Sequence, residues 1–176
     1  MVFIQFTGLS GAGKTTLTIL VRNELLKSGY KVEMIDGDEY RKNLCSDLGF
    51  SKEDRMRNIR RLGFVGKILL RNEIIVLLSA INPYEEIRKE IKNMAPDIFT
   101  VWINCSLEML IQRDTKGMYH RAMLPDGHPD KIYNLTGVND PFEIPENPDL
   151  IVNTHLETIE ESKEKILQFI FNHLKK

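Results

Sequence analysis

The sequence has 176 residues, a length typical of one domain with a substantial core, and its formal net charge at pH 7 is −1. A charge this close to balance gives no basic footprint for nucleic acid, and no apolar run approaches the ~18 residues that span a bilayer. Met1 leads directly into the first predicted strand, which leaves no room for a signal peptide. The two cysteines, Cys45 and Cys105, lack the spacing of metal ligands. We therefore expect a cytoplasmic protein that binds neither nucleic acid nor a membrane.

The first predicted elements are a short buried strand, a glycine-rich loop and a helix. The loop reads GLSGAGKT from Gly8 to Thr15 and fits the phosphate-binding pattern G-x-x-x-x-G-K-[ST] without a mismatch. Its glycines let the backbone approach phosphate oxygens, Lys14 can reach the outer phosphates, and the Thr15 hydroxyl can ligate Mg²⁺. The sequence therefore predicts a nucleoside triphosphate site. The residues expected to form it are Gly8, Ser10, Gly11, Ala12, Gly13, Lys14, Thr15 and Thr16.

Strands and helices alternate along the rest of the chain. The predicted strands cover residues 2–6, 31–35, 74–78, 99–103 and 150–152. Hydroxyl side chains that suit a helix start precede three of the predicted helices, at Ser51, Ser106 and Thr158. Repeated β–α units predict an α/β fold, with a five-stranded parallel sheet and helices on both of its faces.

Residues 116–149 show no clear periodicity and hold several glycines and prolines. A structureless stretch of more than about 15 residues in a compact domain is usually functional or disordered. In a phosphoryl-transfer enzyme, its natural role is a lid that excludes water. We therefore predict a single P-loop kinase domain over residues 1–176, with a lid at approximately 116–149.

Two carboxylates, Asp36 and Asp38, follow the second predicted strand. Ligands of open α/β sheets bind beyond the carboxyl ends of the strands, so both side chains are expected to face the phosphates. One can hold Mg²⁺ through water, and the other can accept a proton from an attacking hydroxyl, as kinase chemistry requires. The alternative is a solvated Asp-Gly-Asp turn, a common surface feature.

Longer motifs resemble the adenylylsulfate kinases nearly from end to end. They are GLSGAGKT (8–15), DGDEYR (36–41), LGFSKEDRMRN (48–58), IRRLG (59–63), INPY (81–84), QRDTKGMY (112–119) and LTGVNDPFEIPENPDL (135–150). Members of that family transfer the γ-phosphoryl group of ATP to the ribose 3′-hydroxyl of adenylyl sulfate, giving the activated sulfate donor. The resemblance implies a P-loop kinase of sulfate assimilation that uses ATP, Mg²⁺ and a small-molecule nucleotide acceptor, and it allows a homodimer.

The resemblance also implies catalytic roles for four residues. Lys14 would contact the transferring phosphate, and Asp36 would be the carboxylate linked to Mg²⁺ through water. Asp38 would orient the acceptor hydroxyl. Lys116, in the lid, could offset charge that develops on the transferred group. Arg113 resembles the residue that covers the adenine of ATP.

A second set of residues would bind the acceptor. Arg41, Arg55 and Asn58 would hold its phosphosulfate, since an arginine fork suits such oxyanions. Phe50 would line the acceptor base, and ordinary core packing is the alternative for this side chain. The full set expected at the acceptor is Asp38, Arg41, Phe50, Arg55, Asn58, Ile81, Asn82 and Leu135.

Three positions depart from the family pattern. Asn82 stands where the family usually has serine, and Glu85 stands where it has arginine. Leu135 replaces a phenylalanine that stacks on the acceptor's adenine, and leucine cannot supply the same π-stacking. The predicted lid is also several residues longer, around residues 124–129. A changed acceptor would leave this pattern, and so would simple divergence.

Three functions therefore stay open. The first is an adenylylsulfate kinase, favoured by Arg41, Phe50, Arg55 and Asn58. The second is a related kinase that phosphorylates the 3′-hydroxyl of another nucleotide, such as cytidine diphosphoramidate in capsule synthesis, favoured by Leu135 and the longer lid. The third is a catalytically silent nucleotide-binding module, against which the intact loop lysine and both aspartates argue.

Overall fold

A parallel sheet of five strands forms the centre of the computed structural model, which describes residues 1–174. The strands are β1 (Phe3–Thr7), β2 (Val32–Asp36), β3 (Ile75–Ser79), β4 (Ile98–Asn104) and β5 (Leu150–Asn153). Their order across the sheet is β2-β3-β1-β4-β5, and every neighbouring pair is parallel. The predicted α/β fold with five parallel strands is confirmed.

Seven helices lie within residues 1–174. They are α1 (Lys14–Lys27), α2 (Gly37–Leu44), α3 (Lys52–Arg71), α4 (Glu85–Lys92), α5 (Leu107–Arg113), α6 (Met118–Ala122) and α7 (Ile159–His173). The hydroxyls of Ser51 and Ser106 accept backbone N–H groups at the starts of α3 and α5, and Thr158 and Glu161 form a reciprocal capping box on α7. In this described part of the chain, no helix combines the length and apolar character needed to cross a membrane.

The helix α6 interrupts the segment that was expected to lack regular structure, so that expectation was wrong for residues 118–122. Gly117 precedes α6 with a φ of 63°, and the carboxylate of Asp114 accepts the N–H groups of Tyr119 and His120. A helix of five residues is too short to show hydrophobic periodicity. In the sequence, only Asp114 and Gly117 indicate that a helix begins here.

Buried apolar side chains form two clusters, one on each face of the sheet. Neighbouring residues of β1 point to opposite faces, so that Ile4 joins the cluster under α1 and α7 while Phe3 joins the cluster under α3 and α4. Helices therefore cover both faces, as predicted. In the register of the sheet, Asp36 of β2 pairs with Ser79 of β3, which in turn pairs with Phe6 of β1. The carboxyl ends of three adjacent strands thus meet at one edge.

Helix α3 packs closely against β1 at Gly66. A Cβ atom at this position would lie 2.6 Å from Cε1 and 2.7 Å from Cζ of Phe3, whose ring is fully buried. We expect Gly66→Ala to lower the free energy of unfolding by about 1–3 kcal/mol through overpacking, although alanine is the better helix former. Urea denaturation measures the change. Arg57→Ala, at an exposed position of the same helix, is the control, and unchanged stability in Gly66→Ala would contradict the close packing.

Candidate active site

The glycine-rich loop joins the end of β1 to the start of α1. Gly8, Gly11 and Gly13 have positive φ angles of 151°, 76° and 98°. A Cβ on Gly8 would lie 2.3 Å from the carbonyl oxygen of Ile103, so β4 leaves no room for a side chain there. Gly13 is the N-cap of α1 and has no side chain to pair with the first N–H groups of the helix. Those groups are available to an anion.

The amine of Lys14 is buried beneath this loop. Its Nζ donates hydrogen bonds to the carbonyl oxygens of Gly8 at 2.9 Å and Leu9 at 2.8 Å. Burial lowers the pKa of Lys14 from the usual 10.5 to about 8, with the carboxylate of Asp38 acting in the opposite direction. Two neutral carbonyls compensate the charge only in part, so a polyanion beside Lys14 would restore the pKa.

Thr15 and Asp36 face each other at the same end of the sheet. The Thr15 hydroxyl donates to Oδ2 of Asp36 at 3.3 Å. The other oxygen of Asp36 accepts the N–H groups of Asp38 and Glu39 as the N-cap of α2, which fixes the carboxylate. Hydroxyl and carboxylate oxygens are ligands that Mg²⁺ prefers. The residues present therefore fit the predicted Mg²⁺.

A cavity of about 530 Å³ lies in front of this loop. Its wall includes six of the predicted nucleotide residues: Ser10, Gly11, Gly13, Lys14, Thr15 and Thr16. Asp36, Asp38 and Lys116 line it as well. Nζ of Lys116 lies 3.7 Å from Oδ2 of Asp38, and both side chains are exposed, so this contact is screened by solvent. The predicted catalytic residues thus meet around one space.

Three predicted nucleotide residues do not line this cavity. Gly8 contributes its carbonyl oxygen to Lys14, as described above. Ala12 is buried in the core, and its carbonyl oxygen accepts the hydroxyl of Thr154 at 2.9 Å. Arg113, the last residue of α5, borders a small depression that also touches Ser10 and Lys116. The volume of this depression is only about 10 Å³, too small for an adenine ring, so the contact of Arg113 with adenine stays a prediction.

A smaller cavity of about 100 Å³ adjoins the first one and shares Asp38, Ala80 and Ile81 with it. Seven of the eight predicted acceptor residues line this second cavity: Asp38, Arg41, Phe50, Arg55, Asn58, Ile81 and Asn82. Leu135, the eighth, is only 2% exposed and packs in the core cluster on the side of α1 and α7. Its predicted contact with an acceptor base would require the surrounding segment to move.

Phe50 is 55% exposed, so ordinary core packing does not describe this side chain. Two guanidinium groups lie over its ring, that of Arg41 at 4.4 Å from the centroid and that of Arg55 at 5.4 Å. Arg41 also donates to the carbonyl oxygens of Leu48 and Gly49. Burial, and then the positive charge of Arg55, lower the pKa of Arg41. Two positive charges are therefore concentrated at the smaller cavity.

Sequence analysis did not identify Asp140, whose Oδ2 lies 2.6 Å from Nη2 of Arg55. The two residues are 85 positions apart, and no local pattern announces the pair. The only signal was the position of Asp140 inside the motif LTGVNDPFEIPENPDL. The structure thus connects the predicted lid to the predicted acceptor site.

A second buried arginine, Arg88, also escaped sequence analysis. It donates to the carbonyl oxygens of Asn82 at 2.8 Å and Glu143 at 2.6 Å, and to the carboxylate of Glu85 at 2.8 Å. Asn82 has a φ of 46°, a conformation that asparagine tolerates better than most residues, and its amide donates to Gln5 at 3.0 Å. Arg88 therefore fixes both the loop of the acceptor site and the end of the predicted lid.

The family model for adenylylsulphate kinase matches residues 1–153 of this chain. The adenylyl-sulfate kinase of Picosynechococcus sp. is 47% identical over 167 residues, which cover 95% of this chain and 92% of that protein. The adenylyl-sulfate kinase of Rippkaea orientalis is 48% identical, with 95% and 90% covered. Among solved structures, the Mycobacterium tuberculosis APS kinase in complex with AMPPNP and APS is similar with a TM-score of 0.88, at 34% identity and 97% coverage of both chains.

The lowered pKa of Lys14 predicts proton uptake when the nucleotide binds. Phosphates beside the amine would raise its pKa again, so MgATP binding should take up about 0.1 proton at pH 7 and about 0.5 at pH 8. Calorimetry in two buffers with different ionisation enthalpies measures the uptake. Lys14→Met should remove it, and Lys27→Met, at an exposed position of α1, should not. Uptake that fails to rise between pH 7 and pH 8 would contradict a pKa of about 8 for the buried amine.

Proposed function

The chain belongs to the adenylylsulphate kinase family, and on this basis we propose that it transfers the γ-phosphoryl group of ATP to the ribose 3′-hydroxyl of adenylyl sulfate. The observation that carries this proposal is the junction of the two cavities. The larger one holds the phosphate-binding loop, the smaller one is bordered by Arg41 and Arg55, and Asp38 belongs to both. Donor and acceptor would meet at that carboxylate.

The residues of the larger cavity divide the chemistry between them. The loop N–H groups and Lys14 would bind the phosphates, and Asp38 would orient the acceptor hydroxyl and take its proton. A bond forms between the 3′-oxygen and the γ-phosphorus as the bond from that phosphorus to ADP breaks. Lys116 lines the same cavity, with its Nζ 3.7 Å from Oδ2 of Asp38, and would offset the charge that develops on the transferred group. Mg²⁺, at Thr15 and Asp36, would supply further positive charge to the phosphates.

The smaller cavity suits the anionic end of adenylyl sulfate. Arg41 and Arg55 bring two positive charges to it, and Asn58 adds a buried amide. Phe50 offers an exposed aromatic face at the rim. This combination of guanidinium groups and an aromatic ring matches a ligand with oxyanions at one end and a base at the other.

The alternative acceptor is another nucleotide, such as cytidine diphosphoramidate. It was favoured because Leu135 stands where the family has a phenylalanine that stacks on adenine. That side chain lies in the core and not in the acceptor cavity, so its identity is a weak guide to the base that binds. The silent-module alternative is opposed by the convergence of Lys14, Thr15, Asp36 and Asp38 on one cavity. Adenylyl sulfate is therefore the acceptor we propose.

The lid is likewise a proposal, and contacts of residues 116–149 support it. Lys116 approaches Asp38, the hydroxyl of Tyr119 donates to the carbonyl of Ser10 at 2.8 Å, and Asp140 binds Arg55. The segment therefore touches both cavities. On the basis of family membership, we further propose that the chain forms a single domain, uses Mg²⁺ and acts in sulfate assimilation. The proposal also includes a cytoplasmic location and a homodimer.

An acceptor screen tests the proposed reaction directly. The purified protein, with MgATP, should phosphorylate adenylyl sulfate at the 3′-hydroxyl, with ADP release coupled to product formation. The specificity constant should be higher for adenylyl sulfate than for cytidine-based nucleotides such as cytidine diphosphoramidate. A preference for the cytidine acceptor, or no transfer to any nucleotide, would contradict the proposal.

Asp38→Asn should separate catalysis from nucleotide binding. The amide keeps the shape of the side chain but cannot take the hydroxyl proton, so kcat should fall by about 10²- to 10⁴-fold. The KM for ATP should stay within about twofold, because Lys14 and the loop bind the phosphates. Steady-state kinetics give both values. Asp126→Asn, which neutralises an exposed acid in the predicted lid, is the control. A kcat near the wild-type value in Asp38→Asn would exclude Asp38 as the proton acceptor.

A further inference from the structure

We propose that Asp140 is a positioning residue for the acceptor, because it holds the guanidinium of Arg55 in the orientation that receives the anionic end of adenylyl sulfate. The inference rests on the proposed function, since it assumes that Arg55 meets the phosphosulfate. It assigns a role to a residue of the predicted lid that lies outside the predicted acceptor set.

The hydrogen bonds of Arg55 leave its side chain almost no freedom. Nε donates to the carbonyl oxygen of Phe50 at 3.0 Å, and Nη1 donates to the hydroxyl of Thr136 at 3.3 Å. Nη2 donates to the carbonyl oxygen of Asn134 at 2.8 Å and to Oδ2 of Asp140 at 2.6 Å. A guanidinium has five N–H groups, and these contacts within residues 1–174 use four of them. One N–H on Nη1 remains for a ligand, and its direction is set by the other four.

Asp140 supplies the one negative charge among these partners. Arg55 is 8% exposed, and the other three acceptor groups are neutral. Arg41 shares the ring of Phe50 with it, which brings a second positive charge close. Without the carboxylate, the guanidinium of Arg55 would be buried beside a like charge and would leave this position. Its charge is thus balanced before any acceptor arrives.

The backbone holds Asp140 in place. Its N–H donates to the carbonyl of Leu135 at 3.2 Å, and its own carbonyl accepts the N–H of Gly137 at 2.7 Å. A carboxylate tied to a closed turn in this way serves as a fixed support. An arginine that is already oriented loses less freedom when the acceptor binds, and binding is stronger for that reason. The opposite hypothesis is that Asp140 competes with the acceptor for Arg55, in which case its removal would strengthen binding.

The test compares two ligands that differ in the anionic group. Asp140→Asn keeps the shape of the side chain and a hydrogen-bond acceptor but removes the charge. Calorimetric titration of the MgADP-saturated protein should show the Kd of adenylyl sulfate rising about tenfold. The Kd of adenosine, which lacks the phosphosulfate, should stay within about twofold. In kinetics, the KM for adenylyl sulfate should rise while the KM for ATP does not change.

Two further variants make the result specific to Arg55. Asp140→Glu restores the charge, so its Kd for adenylyl sulfate should lie between those of wild type and Asp140→Asn. In an Arg55→Lys background, Asp140→Asn should add little further loss of affinity, because the fork that it orients is gone. Asp126→Asn is the matched control, since it neutralises an exposed acid of the predicted lid whose partner is Lys131.

Each contrary outcome points to a different error. Tighter binding of adenylyl sulfate by Asp140→Asn would show competition and overturn the inference. Equal losses for adenylyl sulfate and adenosine would show general damage to the segment and also overturn it. If Asp140→Asn does not fold, Asp140→Glu decides: a Kd for adenylyl sulfate that rises less than about tenfold, with the Kd of adenosine unchanged, supports the inference. An unchanged or lower Kd for adenylyl sulfate, or equal losses for both ligands, overturns it. Wild-type protein that binds adenylyl sulfate without phosphorylating it would overturn the proposed function alone.

Discussion

Buried positive charge is the constraint on which the site depends. Three buried cations lie in or beside the cleft, since Lys14 lines the larger cavity, Arg55 lines the smaller one, and Arg88 holds the carbonyl of Asn82. Arg88 and Arg55 each have a carboxylate and neutral oxygens as partners, whereas Lys14 donates its hydrogen bonds to two carbonyls. Lys14 is therefore the least compensated of the three, which fits a residue that binds an anion. The larger cavity thus presents a cation whose charge is only partly compensated, whereas the smaller cavity presents a guanidinium that is already paired and oriented.

The predicted lid is built around the same cations. Its end is tied to Arg88 through the carbonyl of Glu143, and its turn closes around Arg55 through Asp140. Its beginning carries Lys116 to the mouth of the larger cavity. The segment therefore contacts the smaller cavity through the guanidinium of Arg55, and it contributes the amine of Lys116 to the larger cavity. Movement of the segment would change the electrostatics of both cavities together.

Local patterns were enough to predict the sheet, the phosphate-binding loop and the capped helices. Each of these depends on residues close together in sequence, such as Ser51 and the start of α3. The motif comparison also placed seven acceptor residues around one cavity, because a motif preserves the relative position of side chains on shared elements. Leu135 differs because whether a side chain lies in the core or at a ligand depends on packing, which a motif does not encode. Asp140 escaped notice because its partner Arg55 lies 85 positions away, and the bond that Arg88 makes to Glu143, 55 positions away, is equally invisible to a local pattern.

The phosphate-binding loop shows how distant residues complete a local motif. The carbonyl oxygens of Gly8 and Leu9 accept hydrogen bonds from the amine of Lys14. Those of Ser10 and Ala12 accept hydrogen bonds from the hydroxyls of Tyr119 and Thr154, respectively. In a trans peptide unit the N–H points opposite to the C=O. Carbonyls drawn toward protein donors therefore turn the N–H groups that follow them toward the cavity, where phosphates bind. The glycines permit this conformation, but the hydroxyls of Tyr119 and Thr154, more than a hundred residues away, hold it. The binding loop is consequently a property of the whole fold, although its signature occupies eight residues.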